Sequence, residues 1–164
     1  MEKKVFINIE DSHSGHDDSY SSQTSTQGVL RLLENGYDVK VSEVHGMSQR
    51  GGSGSSEVRF GKSVASPMVP EGESDYLIVM EPTQVEVNQY KLRPGGVLIT
   101  TADVPTEKLK NPKALNTMML GALSAHLGID HALWLEVIKD FLPQKLHELN
   151  LEMFELGRQA ARKK

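Results

Sequence analysis

The stretch Ser42-Glu43-Val44-His45-Gly46-Met47-Ser48-Gln49-Arg50-Gly51-Gly52-Ser53 packs charged and polar side chains of every useful kind between glycines. Gly46, Gly51, Gly52 and Gly54 open backbone conformations closed to other residues, and let main-chain N–H groups converge on an anion. Arg50 can add a two-pronged contact to a carboxylate or phosphate. His45 titrates near neutrality and can give or take a proton. Glu43 could fix its orientation, although alternation along a strand leaves a direct pair open. Met47, Ser48, Gln49 and Ser53 complete the candidate set. These residues point to recognition of a phosphate-like or carboxylate-like group, with a merely flexible turn as the alternative. They do not reach a reaction: no serine–histidine–carboxylate triad is readable, and no residue of the chain is assigned as catalytic.

Such a loop needs a rigid frame, and its flanks describe one. Tyr37-Asp38-Val39-Lys40-Val41 alternates as a strand and delivers the loop from its carboxyl end, where an α/β sheet places its ligands. Glu57-Val58-Arg59-Phe60-Gly61 alternates again and reads as a half-exposed strand. Upstream, Lys4-Val5-Phe6-Ile7-Asn8-Ile9 is a short buried strand. Downstream, Asp75-Tyr76-Leu77-Ile78-Val79-Met80 is apolar enough for the middle of a sheet, and Glu81-Pro82 ends it. Thr83 to Leu92 reads as a short helix with Thr83 as cap and Glu86 three residues on. Arg93-Pro94-Gly95-Gly96 reads as a turn before a further strand, Val97 to Thr101. Strand, helix, turn, strand predicts a right-handed crossover in a parallel sheet.

Residues 111–164 change character to helices. Asn111-Pro112 opens the first, whose apolar residues recur as far as Leu127 and Gly128. Asp130 caps a second bearing Leu133, Trp134, Val137, Ile138 and Phe141, and a third runs from about Lys145 to Ala161. The methionines and Trp134 belong to the core. Before the loop, Gln27 to Glu34 has helical spacing and stops at Asn35-Gly36. The fold class is therefore α/β: a Rossmann-like, mostly parallel sheet flanked by helices, with a C-terminal helical segment, in one domain spanning 1–164.

Residues 10–26 form a polar loop. Its His13, His16, Asp17 and Asp18 could make a loose nitrogen/oxygen metal site. Their spacing matches no fixed geometry, and a serine-rich charged loop contains the same letters, so no metal is assigned.

Composition narrows the function. The 164 residues carry net charge −4 and pI near 5.9, which disfavours a nucleic-acid binder. The chain has no cysteine, so it can supply no thiolate zinc site, disulfide or cysteine-held iron–sulfur cluster. No run approaches the ~20 apolar residues of a membrane span, and the beginning lacks a signal peptide's apolar core. A cytoplasmic protein without membrane contact is expected.

The segment Glu34 to Gly61 resembles the gamma-type domain of the 2-oxoacid:ferredoxin oxidoreductase family, and most of all its indolepyruvate-type beta subunits. The residues carrying this are Gly-Tyr-Asp-Val-Lys-Val-Ser-Glu-Val-His-Gly-Met-Ser-Gln-Arg-Gly-Gly-Ser, from Gly36 to Ser53. The resemblance continues through Val58-Arg59-Phe60-Gly61, Ser66-Pro67, Glu81 and Arg93-Pro94-Gly95-Gly96. It resumes at Asn111 to Thr117, Met119 to Leu123 and Phe154-Glu155-Leu156-Gly157, covering most of the chain from Gln27 onward. It implies a subunit that works with a larger catalytic partner holding thiamine diphosphate and iron–sulfur clusters, in a hetero-oligomer inactive without that partner. A 2-oxoacid such as indolepyruvate or another aryl pyruvate would be oxidatively decarboxylated, coenzyme A taking the acyl group and ferredoxin the electrons. The His45 to Ser53 loop would face the partner or the shared active-site region.

Two departures stand out. Members of the family carry a Gly-x-Gly-Gly-x-Gly turn and a long helix after the first strand; here only Gln27-Gly28-Val29-Leu30 matches the end of that turn. The helix before Gly36 is shorter by roughly two turns or more. A glycine-rich turn opening a helix cradles phosphate, and that cradle is incomplete. A helix and strand are also missing between Thr101 and Ala102. The alternative is therefore a non-catalytic Rossmann-like binding or assembly protein that has lost the coenzyme-binding turn.

Overall fold

A computed structural model describes residues 3–10, 38–45, 53–66 and 68–163. The expected loop at 10–26, the helix before Gly36 and the segment Gly46 to Gly52 fall, apart from Glu10, outside the described residues. The chain divides into two compact units.

The first unit is a five-stranded sheet in the order β2-β3-β1-β4-β5. Its strands are β1 (Lys3–Glu10), β2 (Asp38–His45), β3 (Ser53–Gly61), β4 (Ser74–Val79) and β5 (Leu92–Thr100). β1, β4 and β5 pair in parallel, while β3 is antiparallel to both β1 and β2. Four strands thus run one way and β3 alone opposes them, so the sheet is mixed with a mostly parallel sense. β3 begins four residues earlier than its alternation suggested. Ser53 to Ser56 have little strand preference of their own, but pairing on both sides recruits their backbone groups; Glu10 stands opposite Ser53, and His45 opposite Gly54.

One face of the sheet packs Leu77 and Val79 against Val85, Leu92 and Leu98. The register puts Val5, Val58, Phe60, Ile78 and Ile99 on the other face, where all are buried. The segment after β4 is not one helix but a 3₁₀ turn at Pro82–Gln84, one α-turn α1 (Val85–Asn88) and a second 3₁₀ turn at Gln89–Lys91. Its cap is Glu81 rather than Thr83: Glu81 is extended, as a residue before proline must be, and its carboxylate accepts from the Thr83 N–H. Arg93 to Gly96 is drawn into β5 as an irregularity in the ladder, between the pairs Ser74–Leu92 and Tyr76–Val97. Gly95 there has φ +80, a conformation that suits glycine.

The second unit contains α2 (Leu115–Ser124), α3 (His131–Phe141) and α4 (His147–Arg162). Asp130 caps α3 by accepting from the Ala132 N–H at 3.2 Å, as its position implied. α2 stops at Ser124, short of the expected Leu127. The Ser124 hydroxyl donates to the Gly121 carbonyl at 2.6 Å and the Arg158 guanidinium donates to the Ser124 carbonyl at 3.3 Å, so the last turn is closed from the side. α2 and α4 touch backbone to backbone. A Cβ on Gly121 would lie 2.0 Å from the Phe154 carbonyl oxygen, and one on Gly157 1.9 Å from that of Met118. The buried bond from Thr117 Oγ1 to Asn150 Oδ1, 2.7 Å, spans the same pair of helices. Trp134 and Phe154, both buried, meet with ring centroids 5.9 Å apart.

Candidate functional site

Glu43, His45 and Ser53, the described residues of the loop-motif set, belong to the first unit, and the sheet brings the end of β2 and the start of β3 together. Glu43 and His45 close β2, opposite Ser56 and Gly54. They lie two positions apart on one strand. Ser53 opens β3 beside Glu10, the last residue of β1. Asn8 of β1 stands opposite Val79, the last residue of β4, and Val79 opposite Thr100, the last of β5. The carboxyl ends of β1, β2, β4 and β5 and the start of β3 therefore form one rim. From β1 the chain goes to β2 and β3 on one side, then to β4 and β5 on the other. That reversal, between β1 and β4, is where an open α/β sheet leaves a crevice for a ligand.

Glu81 follows β4 at this rim. Its Oε1 accepts from the Thr83 N–H at 3.4 Å and from Thr83 Oγ1 at 3.3 Å. The sequence marked Glu81 only as an acidic strand end; the structure makes it the group that turns the chain away from the rim. Gly46, Met47, Ser48, Gln49, Arg50, Gly51 and Gly52 lie outside the described residues. Among the described residues no group of three or more His, Cys, Asp and Glu is placed to hold a metal ion, and no helix is long and apolar enough to cross a membrane.

A feature the motif reading missed sits on the sheet face opposite Val5 and Val58. Asp38 Oδ2 accepts from the Val64 N–H at 2.8 Å while Lys40 Nζ donates to the Val64 carbonyl. On β3, Glu57 Oε2 accepts from the Val69 N–H at 3.0 Å and Arg59 donates to the Met68 carbonyl at 2.6 Å. Asp38-x-Lys40 and Glu57-x-Arg59 are thus two opposite-charge steps on neighbouring strands, Lys40 directly opposite Arg59. Each step grips the backbone of the strap that follows β3. The signal was present as charge alternation on one strand face, but charge alone does not name a backbone as its target.

At the other end of the sheet Arg93 Nε donates to Asp75 Oδ1 at 2.7 Å and the Lys4 N–H to Asp75 Oδ2 at 2.9 Å. This ties β1, β4 and β5 together away from the rim. Burial raises the Tyr76 pKa, with Asp75 adding to the effect and Arg93 opposing it. Burial lowers that of Lys91, against the charges of Glu57 and Glu71.

Comparison with known proteins agrees with this arrangement. Residues 24–160 match the family described as pyruvate ferredoxin/flavodoxin oxidoreductase. The indolepyruvate oxidoreductase subunit IorB of Thermococcus kodakarensis is 34% identical over 170 residues, covering 79% of this chain and 84% of that protein. Its counterpart from Pyrococcus horikoshii is 32% identical over 172 residues, with the same coverage. Among solved structures, the gamma subunit of a keto/oxoacid ferredoxin oxidoreductase from Geobacter sulfurreducens superimposes with TM-score 0.71 at 17% identity, over 99% of both chains. A 2-oxoglutarate:ferredoxin oxidoreductase from Magnetococcus marinus, solved with 2-oxoglutarate, coenzyme A and succinyl-CoA bound, gives TM-score 0.75 at 18% identity. There the match covers 99% of this chain and 31% of that longer one. The expected α/β fold thus stands.

Proposed function

Because the chain belongs to the pyruvate ferredoxin/flavodoxin oxidoreductase family, we propose that it is the accessory subunit of an indolepyruvate-type 2-oxoacid:ferredoxin oxidoreductase. The observation carrying this is the identity to indolepyruvate oxidoreductase subunits across 79% of the chain. The family match at 24–160 runs through both compact units, which supports reading the chain as one functional domain.

In this reading the larger partner holds thiamine diphosphate and the iron–sulfur clusters. The chain has no cysteine with which to hold such a cluster. The partner's cofactors supply decarboxylation and electron transfer to ferredoxin, and coenzyme A takes the acyl group. This chain contributes the rim at the carboxyl edge. Glu43 and His45 at the end of β2, the segment Gly46-Met47-Ser48-Gln49-Arg50-Gly51-Gly52, and Ser53 at the start of β3 face the shared active-site region. Arg50 pairs with a carboxylate or phosphate, and His45 positions polar groups rather than driving the chemistry. A substrate carboxylate and coenzyme A phosphates both suit a guanidinium in a water-poor cleft.

Co-expression with the large subunit tests the proposal. A stable complex that reduces a dye only when indolepyruvate and coenzyme A are present is the expected result; no complex and no turnover would refute it. A second reading, an assembly protein without a coenzyme site, is favoured by one observation. The relatives align over 170 residues, more than the 79% of this chain that takes part, so they carry positions with no counterpart here. It predicts an intact complex without turnover and no heat on titrating coenzyme A.

A further inference from the structure

All the side-chain sulfur of this chain is thioether, in seven methionines, with no cysteine. Among the described residues Met118, Met119 and Met153 are fully buried and Met80 is 9% exposed, whereas Met68 is 67% exposed. A hydroperoxide oxidises the sulfur it can reach. A buried sulfur must wait until the structure around it opens, and a packed core opens rarely. No thiol of the chain competes, so an oxidant of this class meets Met68 before the other described methionines.

What oxidation does next depends on what surrounds the sulfur. Met118 belongs to the close contact of α2 with α4, where its carbonyl faces Gly157, and Met153 lies buried on α4. A sulfoxide at either position would put a strong acceptor into an apolar core. Met68 is secured by its backbone instead. Its N–H donates to Ser66 Oγ at 3.2 Å, its carbonyl accepts from Arg59 at 2.6 Å, and the next N–H, that of Val69, donates to Glu57 at 3.0 Å. None of these bonds involves the sulfur, and a sulfoxide oxygen on so exposed a side chain is hydrated by solvent.

We propose that Met68 is a reversible methionine-oxidation site that the fold tolerates: hydroperoxides convert it to the sulfoxide while the chain stays folded. In this step a sulfur lone pair attacks a peroxide oxygen, an S–O bond forms and the O–O bond breaks. Sulfur is oxidised and the peroxide is reduced. The proton on the transferred oxygen passes through solvent to the departing one, which leaves as water from hydrogen peroxide or as an alcohol from an alkyl hydroperoxide. A methionine sulfoxide reductase reverses the change, a thiol reductant ending as disulfide and the oxygen as water. This chemistry needs no partner subunit, and it goes beyond the function proposed above without depending on it.

The test treats the full chain, free in solution, with dilute hydrogen peroxide and follows each methionine by peptide mass mapping, once folded and once in urea. In the folded chain Met68 is expected to oxidise about tenfold faster or more than Met80, Met118, Met119 or Met153. In urea all of these rates should fall within about threefold of one another. Chain sampled when Met68 is oxidised and the other described methionines are not should melt within about 2 °C of untreated chain. Methionine sulfoxide reductases A and B with a thiol reductant should then restore the original Met68 peptide mass. A folded-state rate at Met68 within about threefold of the quickest buried methionine overturns the inference. So does a lead for Met68 that persists undiminished in urea, since the fold would not be its cause. Loss of folded structure at that sampling point, or a sulfoxide that the reductases leave in place, overturns it equally.

Discussion

The contact between α2 and α4 makes a prediction that inverts the usual effect of replacing a helical glycine. On an exposed helix Gly→Ala stabilises by about 0.8–1 kcal/mol through helix propensity. At Gly121 the added methyl would stand 2.0 Å from the Phe154 carbonyl oxygen, 2.9 Å from its carbon and 3.1 Å from the Arg158 nitrogen. At Gly157 the corresponding distances are 1.9 Å to the Met118 oxygen, 2.8 Å to its carbon and 3.2 Å to the Ala122 nitrogen. These obstacles are helical backbone, which cannot swing aside, whereas ordinary carbon contacts begin near ~3.5 Å. The helices must separate by more than an ångström, loosening Met118 and Phe154 and stretching the Thr117–Asn150 and Arg158–Ser124 bonds. Overpacking and lost buried bonds together cost roughly 3–5 kcal/mol, of which propensity returns about 1. The net loss is about 2–4 kcal/mol, a fall in Tm of roughly 5–15 °C for a chain of this size. Gly128→Ala is the control, because nothing lies within 4 Å of its Cβ and its φ is not positive; it should be neutral or stabilise by about 0.4–1 kcal/mol. Urea unfolding followed by circular dichroism reads all three. The Gly121→Ala/Gly157→Ala double variant should lose less than the sum, since one separation serves both methyls. Gly121→Ala as stable as Gly128→Ala would refute the packing.

Three other substitutions test separate contacts. Trp134 is buried and its Nε1 finds no hydrogen-bond partner among the described residues, so Trp134→Phe should cost about 1 kcal/mol or less, against roughly 3–5 for Trp134→Ala in the same urea assay. Asp38→Ala leaves the Val64 N–H without its acceptor and should cost about 1–2 kcal/mol while hastening proteolysis of the strap; unchanged cleavage would show that the strap is held otherwise. Tyr76 has its pKa raised by burial: the folded chain holds that proton more tightly than the unfolded one, so its contribution to stability is complete below about pH 10 and is lost as pH rises through the folded pKa. Denaturation midpoints from pH 8 to 11 should therefore fall more steeply for the natural chain than for Tyr76→Phe.

Much of the frame was legible because its causes are local. Asp130 before Leu133 and Trp134 announced a cap, and a cap is what it is. The apolar run ending at Val79 and Met80 announced a strand covered on both faces. What was not legible has two sources, the proline that follows β4 and partners far apart in the chain. Glu81 displaced Thr83 as cap because the proline between them fixes both the strand end and the turn. Ser124 ends α2 with help from Arg158, a partner invisible from periodicity. Gly121 and Gly157 look like weaknesses in helices until the helices are laid together. At the site, alternation ended the strand at Val41 and left Glu43 and His45 in the loop, whereas pairing with β3 extends β2 through His45. The meeting of that end with Glu10, Ser53, Val79 and Thr100 required the register. The targets of Asp38, Lys40, Glu57 and Arg59 are backbone groups, which no side-chain pattern names.

As proposed, this chain completes an oxidoreductase whose redox cofactors lie in another subunit. Titrating the chain into purified large subunit, with indolepyruvate and coenzyme A present, and following dye reduction tests it most directly. The expected result is a saturable rise from background to a plateau, with no reduction by the chain alone. A rate unchanged by the chain at every ratio would contradict it.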